Sequence, residues 1–168
     1  FTGDGVQLLS IDDRLSIANM TTEWGALAGV FPLDHTTITW FEKRADFIAN
    51  RGLEGVPSDS DKVNGIHPRI NRETIDELKK QSFKADEGAF YTNTITLNLK
   101  SVSPHISGPN NVKTMTSIVD ATEKQIKINK AYLVSCVNSR VEDLAEAAKT
   151  IRGKKVASHV EFYIAAAS

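Results

Sequence analysis

The only cysteine of the 168-residue sequence stands just after a short apolar run. The run covers residues 131–135, the thiol belongs to Cys136, and an amphipathic stretch follows over 139–151. This order predicts a strand, a turn and a helix, with the sulfur at the carboxyl end of the strand, where ligands bind in open α/β sheets. A nearby helix N-terminus favours the thiolate, which attacks electrophiles and binds metals. Free cysteines also pack as small hydrophobic residues, so a purely structural role stays open at this point.

A pair of polar residues, Asn19 and Glu23, lies four positions apart on a predicted helix. Residues at this spacing project from the same helix face. Because their neighbours are largely apolar, the pair is either an exposed polar stripe or an amide and a carboxylate directed at a buried polar ligand. The four histidines show no HxH or HxxxH spacing, which argues against a zinc site made of histidines alone. A Cys–His hydrolase stays open, since its partners need not be close in sequence.

Composition narrows the class of protein. Hydrophobic residues make up 40% of the chain and charged residues 24%, and the formal net charge is −1, as in ordinary globular proteins. With a net charge near zero, the sequence lacks the excess of basic residues that is typical of nucleic-acid-binding proteins. No apolar run in it is long enough to cross a membrane. The sequence starts without methionine or a targeting segment and stops after an apolar run, so we expect it to be a piece of a longer protein.

The elements of the first half follow from hydrophobic periodicity. One predicted helix can be capped by Asp12 and Asp13 and is ended by Pro32, and a second covers 36–50. Asn71 caps a third, short and polar helix. The segment 51–69 is rich in Gly, Pro, Ser and Asp and is predicted to be irregular.

The second half predicts strands. Alternation over 92–99 is typical of a half-buried strand. Residues 131–135, 139–151 and 160–166 predict a strand, a helix and a strand, which together form a right-handed βαβ unit. The last of these segments is nearly all apolar, so we expect a parallel strand that is covered on both faces.

Three segments together resemble the aconitase superfamily. Residues 135–140, Ser-Cys-Val-Asn-Ser-Arg, are similar to the family motif SCTNSR; residues 17–26 resemble its NMxxExGA helix, and residues 104–109 its PHxxGP segment. They occur in the family's order, and the similarity spans nearly the whole chain. The resemblance implies an α/β, aconitase-like architecture: a helix-rich second domain over 1–120, with an irregular insertion near 51–70, and over 121–168 the first strand–helix–strand unit of a third, parallel-sheet domain.

The resemblance also implies a hydro-lyase with a four-iron, four-sulfur (4Fe-4S) cluster held by three thiolates. Cys136 is then the first cluster ligand, while Asn19 and Glu23 are catalytic and reach the cluster and its iron-bound water. Residues implied to orient the cysteine loop or the substrate carboxylates are Asn138, Ser139 and Arg140. Since one cysteine cannot hold such a cluster, we expect the chain alone to lack it and to be inactive.

Within the family, the sequences of these segments resemble those of a fungal branch. The enzymes of that branch hydrate cis-homoaconitate to homoisocitrate, a small tricarboxylate, in mitochondrial lysine biosynthesis. Isopropylmalate isomerase, citrate-type aconitase and a truncated, non-catalytic binding module stay open as alternatives. An exposed apolar face would indicate that the chain is a piece of a larger enzyme, whereas a charged face without exposed apolar surface would indicate the binding module. An unpaired edge at strand 160–166 predicts a homo-oligomer.

Overall fold

A computed structural model describes residues 1–51, 67–81, 83 and 85–167. The helices are α1 (Ile11–Met20), α2 (His35–Arg51), α3 (Arg72–Lys80), α4 (Ile118–Glu123) and α5 (Val141–Ile151). The strands are β1 (His105–Ser107), β2 (Met115–Ser117), β3 (Lys130–Val134) and β4 (Glu161–Ala165). The fold is therefore mixed α/β, as predicted. None of the helices in the described ranges is long and apolar enough to cross a membrane.

The chain forms two compact units. The first comprises residues 1–11 and 30–94, and the second comprises residues 12–29 and 95–168. This grouping follows contacts within the chain, whereas the predicted boundary at residue 120 concerns the domains of a longer protein, so that boundary stays a prediction. The cysteine loop and most of α1 fall in the second unit.

Helices α2 and α3 pack together in the first unit. The predicted cap of α3 is confirmed, because the Asn71 side chain accepts a hydrogen bond from the Thr74 backbone N–H at 2.8 Å. Ile75 of α3 and Ala45 of α2 are buried, with 1% and 6% of their surface exposed. The predicted irregular segment 51–69 lies largely outside the described residues.

The strand–helix–strand unit predicted for the end of the chain is confirmed. Strands β3 and β4 pair in parallel, with Lys130 opposite Glu161, and α5 connects them. The expectation that β4 is covered on both faces is wrong, since Tyr163 and Ile164 are 45% and 56% exposed. In the described residues the sheet has only two strands, and one crossover helix cannot cover both of its faces.

The half-buried strand predicted for 92–99 is wrong. This stretch contains no strand, and Ile95 and Leu97 are 86% and 65% exposed. Alternation alone does not make a strand, because backbone groups also need a hydrogen-bonded neighbour. The antiparallel pair forms further along instead, between β1 and β2, with His105 opposite Ser117.

Helix α1 is shorter than predicted. It ends at Met20 and continues only as a 3-10 turn over Thr21–Trp24, so the expectation of a helix up to Pro32 is wrong. Gly25 adopts a left-handed conformation, with φ of 86°, and its N–H bonds the carbonyl oxygens of Thr21 and Thr22. This is a common way to end a helix, because glycine enters that region without a steric penalty.

Candidate functional site

Helix α1 contacts the loop between β3 and α5 through two pairs of side chains. Arg140 Nη1 lies 2.6 Å from Asp12 Oδ1, across 128 residues of sequence. The Ser16 hydroxyl donates to Asn138 Oδ1 at 2.6 Å, across 122 residues. We call these four residues the helix–loop junction. The structure thus brings together the two segments that resemble the family's NMxxExGA and SCTNSR motifs.

The helix side of the junction follows from helical periodicity. Asp12 and Ser16 are four residues apart, so both project from one face of α1. Asp12 also lies in the first turn, where a carboxylate is favoured by the helix dipole. Asn19 continues the same stripe at the next helical repeat, three residues beyond Ser16.

The loop side is shaped by local hydrogen bonds at its two ends. At the start, the Ser135 hydroxyl oxygen accepts from the backbone N–H groups of Val137 at 3.1 Å and Asn138 at 2.9 Å, which turns the chain directly after β3. At the end, the Arg140 backbone N–H donates to Asp143 Oδ2 at 3.1 Å and opens α5. The loop is therefore fixed where it leaves the strand and where it enters the helix.

The ion pair of the junction is partly shielded from solvent, whereas the Ser16–Asn138 hydrogen bond is exposed. The side chains of Asp12 and Arg140 are 16% and 25% exposed, so their attraction is screened less than that of a surface pair. Two further polar residues of this stretch of chain, Arg14 and Thr21, are almost fully buried. The Thr21 hydroxyl donates to the Ala18 carbonyl at 2.8 Å.

Cys136 lies at the carboxyl end of β3, as the sequence predicted, and is exposed. The two backbone N–H groups that follow it are directed at the Ser135 hydroxyl. Helix α5 begins five residues later, with Arg140 at its N-cap. The assignment of Cys136 as a metal ligand stays a prediction, with its thiol open to solvent.

Asn19 and Glu23 are both exposed, but they no longer share one regular helix. Asn19 lies in the last turn of α1, whereas Glu23 lies in the 3-10 turn, where each residue advances by about 120° instead of about 100°. The Thr22 hydroxyl donates to Glu23 Oε2 at 3.2 Å. Their catalytic roles stay predictions; in the structure both side chains are available to a ligand.

Ser139 is the most buried member of the cysteine loop, with 1% of its surface exposed. Its hydroxyl has no hydrogen-bond partner among the described residues. Its carbonyl oxygen accepts from the Ala167 N–H at 2.7 Å, which ties the loop to the segment after β4. The predicted role of Ser139 beside a substrate stays a prediction, and in this structure its side chain faces the interior.

The donor set of this chain does not satisfy a 4Fe-4S cluster on its own. The sequence contains one cysteine, and no three His, Cys, Asp or Glu side chains of the described residues come together as a metal site. A four-iron cluster needs thiolates on several of its irons. The chain can therefore supply one thiolate to such a group, that of Cys136.

Sequence reasoning missed half of the junction. Asp12 was expected to act only as a helix cap, and Ser16 was given no role. The available signal was the polar stripe that runs from Asp12 through Ser16 to Asn19 on one face of the helix. Nothing in the sequence indicated which distant segment that stripe contacts.

Comparison with known proteins assigns the class. The model of the aconitase family (aconitate hydratase) matches residues 1–168. This chain therefore belongs to the aconitase family. No solved structure matches it significantly.

The similar curated proteins carry a more specific name. The chain is 53% identical over 169 residues to a protein of Mycosarcoma maydis named "Homoaconitase, mitochondrial". Proteins of the same name from Debaryomyces hansenii and Candida albicans are 48% and 47% identical to it. Each match covers 100% of this chain but only 22% or 23% of the relative. The chain thus spans about a quarter of the length of the curated relatives it matches.

Proposed function

We propose that this chain is the part of a homoaconitase-type hydro-lyase that presents Cys136 and α1 to the reaction centre. The enzyme would reversibly hydrate cis-homoaconitate to homoisocitrate, in mitochondria and in the α-aminoadipate route to lysine. The observation that carries the proposal is the helix–loop junction, because it joins two segments that resemble separate active-site motifs of the family. The names and identities of the relatives support the choice of substrate.

A 4Fe-4S cluster, when bound in the whole protein, supplies a Lewis-acidic iron for substrate oxygens. The residues of this chain have narrower tasks. Cys136 offers one thiolate from an exposed loop position, and the remaining thiolates have to come from outside this chain. Glu23 carries a carboxylate that can accept a proton from a nearby water, and the Asn19 amide can hold a polar ligand in place. We propose that the 168-residue chain alone lacks hydratase activity.

The exposed faces of the β3–β4 sheet support a larger protein over a self-sufficient module. Tyr132 and Tyr163 stack at 5.1 Å between ring centroids, yet they remain 60% and 45% exposed. Ile164 beside them is 56% exposed. Apolar surface of this kind is typical of an interface that further chain covers. A non-catalytic module would be expected to carry a charged surface here.

The test is kinetic and uses the full-length protein that carries this segment. After anaerobic purification, kcat/KM is measured with cis-homoaconitate, cis-aconitate and isopropylmalate. We expect cis-homoaconitate to be hydrated fastest and Cys136→Ser to abolish the activity. A preference for either other substrate would overturn the proposed substrate. A blot showing that cells make this chain only at 168 residues would support the non-catalytic module instead.

We also propose that the isolated chain associates with itself. Both strands of the β3–β4 sheet have an unpaired edge in the described residues, and such edges pair with other copies. Sedimentation over a range of concentrations should show dimers or larger species at high concentration. A monodisperse monomer under the same conditions would contradict this proposal.

A further inference from the structure

We propose that the helix–loop junction fixes the cysteine loop against α1 in a single register, so that Arg140 and Asn138 are positioning residues for Cys136 and not ligands of the substrate. This inference rests on the proposed function and goes beyond it, because it assigns a role to Asp12 and Ser16 and changes the expected role of Arg140. It stands on the geometry of two independent contacts between segments far apart in sequence.

The guanidinium of Arg140 is already engaged. Its Nη1 lies 2.6 Å from Asp12 Oδ1, and the side chains of Arg140 and Asp12 are 25% and 16% exposed. A substrate carboxylate would have to share this guanidinium with a partly buried aspartate, and weakening a shielded ion pair is costly. The Arg140 side chain is thus directed at the helix, where it serves to hold the loop.

The two contacts follow opposite orders along the helix and along the loop. Asp12 and Ser16 are separated by four residues of helix, a rise of roughly 6 Å. Their partners Arg140 and Asn138 are two residues apart on the loop and are contacted in the reverse order. Helix and loop therefore run in opposite directions with both contacts made at once.

Two contacts restrict more than one does. A single ion pair would let the loop pivot on α1, whereas the Ser16–Asn138 hydrogen bond at 2.6 Å fixes a second point. In the same antiparallel order, the helix continues from Ser16 to Asn19, while the loop runs from Asn138 back to Cys136. A shift by one helical turn would break both contacts.

The rest of the loop has little freedom of its own. Ser135 holds the turn after β3, the buried Ser139 is tied to Ala167, and the Arg140 N–H is bound to Asp143. The contacts of the junction act on a different quantity, the position of this whole loop relative to α1. The junction sets that position, which is why we expect its loss to affect turnover more than substrate binding.

The test uses the full-length protein that carries this segment, with Asp12→Asn, Arg140→Gln, the double variant, and the charge exchange Asp12→Arg with Arg140→Asp. We expect each single variant to lower kcat by on the order of 10- to 100-fold, because small misplacements of reacting groups are expensive. KM should change by less than about twofold. The double variant should be no worse than either single one, and the charge exchange should recover part of the loss.

A second readout does not depend on activity. Amide hydrogen exchange of the peptide containing residues 135–140 should be faster in Asp12→Asn and Arg140→Gln and slower again in the charge exchange. Ser16→Ala should also lower kcat and speed this amide exchange, in both cases by a smaller amount. Glu161→Gln, which removes the exposed Lys130–Glu161 pair at 3.4 Å, serves as the matched control and should leave both readouts unchanged.

Two results would overturn the inference. One is an Arg140→Gln variant with raised KM and unchanged kcat beside an Asp12→Asn variant with normal kinetics, which would make Arg140 a substrate ligand. The other is additive effects of the two substitutions on hydrogen exchange. If the unsubstituted protein fails to hydrate cis-homoaconitate while the exchange pattern holds, the proposed function fails and the junction stands. Circular dichroism spectra check that each variant is folded.

Discussion

Two ionic networks in this chain are built from the same residue types and differ in their surroundings. At the helix–loop junction, the side chains of Asp12 and Arg140 are 16% and 25% exposed. Between α2 and α3, Arg72 contacts Asp46 and Lys79 contacts Glu42, with side chains 31% to 57% exposed. The junction joins segments 128 residues apart, whereas the second network joins two helices that also share buried apolar contacts.

The difference indicates which ion pairs fix positions. A shielded pair with an added hydrogen bond restricts the geometry of both partners. An exposed pair gains little, because water and salt screen it and long side chains lose freedom in forming it. We therefore expect α2 and α3 to be held by the burial of Ile75 and the junction by its polar contacts.

The largest effect on stability should come from Ile75→Ala. Ile75 is 1% exposed, and truncating a buried isoleucine costs about 3 kcal/mol, through lost burial and the cavity left behind. Urea unfolding followed by circular dichroism measures the change. Glu77→Ala, an exposed position on the same helix, is the control and should change stability by less than about 0.5 kcal/mol. Equal effects of the two variants would contradict the claim that the burial of Ile75 holds α2 and α3 together.

The next effect should come from Asp12→Asn, which keeps the shape of the side chain and removes its charge. We expect a loss of about 1.5 kcal/mol, typical of a hydrogen bond to a charged group. Glu142→Gln, in the first turn of α5, makes the same charge change at an exposed site and should be close to neutral. If Asp12→Asn is equally neutral, the junction does not differ from a surface pair.

A smaller effect is expected for Arg72→Gln. It removes the contacts of Arg72 with Asp46 and Glu42, yet its side chain is 57% exposed. The free energy of unfolding should fall by no more than about 0.5 kcal/mol, and that loss should vanish at high salt. A loss as large as that of Asp12→Asn would contradict the contrast between the two networks.

The smallest effects on stability are expected at alkaline pH. The hydrogen bond of Lys79 to Glu42, followed by its bond to Asp76, raises the pKa of Lys79 above its usual value. The hydrogen bond from the Tyr163 hydroxyl to Glu161 likewise raises the pKa of Tyr163. Each contribution is present below the unfolded pKa of its group and is lost as pH rises through the folded value, so stability should be insensitive to these groups near neutral pH.

Tyrosinate absorbance checks the second shift. Glu161→Gln should lower the pKa of Tyr163, and Tyr163→Phe identifies which part of the titration belongs to that residue among the three tyrosines. An unchanged titration in Glu161→Gln would show that the exposed contact has no influence. Such a result would mean that this surface contact contributes even less, relative to the junction, than we expect.

Local signals predicted much of the fold. The Asn71 cap, helix α2 and the strand–helix–strand unit around Cys136 are encoded by nearby residues, through capping chemistry and periodicity. Hydrogen bonding between strands is not local, which is why 92–99 was mistaken for a strand and the β1–β2 pair was missed. The end of α1 at Met20 and the 3-10 turn that Gly25 closes were also missed, because the apolar spacing continues beyond them.

The candidate site was predicted in its parts and not in its assembly. Cys136 was placed at the end of its strand and Asn19 on its helix from sequence alone. The contact between Asp12 and Arg140 could not be predicted, because nothing local links residues 128 positions apart. The exposure of β4 was also missed, since an apolar strand indicates that a cover is needed and does not indicate that this chain supplies it.

The most direct test of the central claim, that α1 and the cysteine loop meet at the junction, is disulfide trapping in this chain. Ser16→Cys and Asn138→Cys are introduced into a Cys136→Ser background, which leaves the new pair as the only thiols. Mild oxidation should give a product that migrates faster in a non-reducing gel and reverts on reduction. Lys130→Cys with Glu161→Cys, neighbours in the β3–β4 register, is the positive control. Cross-linking of the control pair alone would contradict the junction.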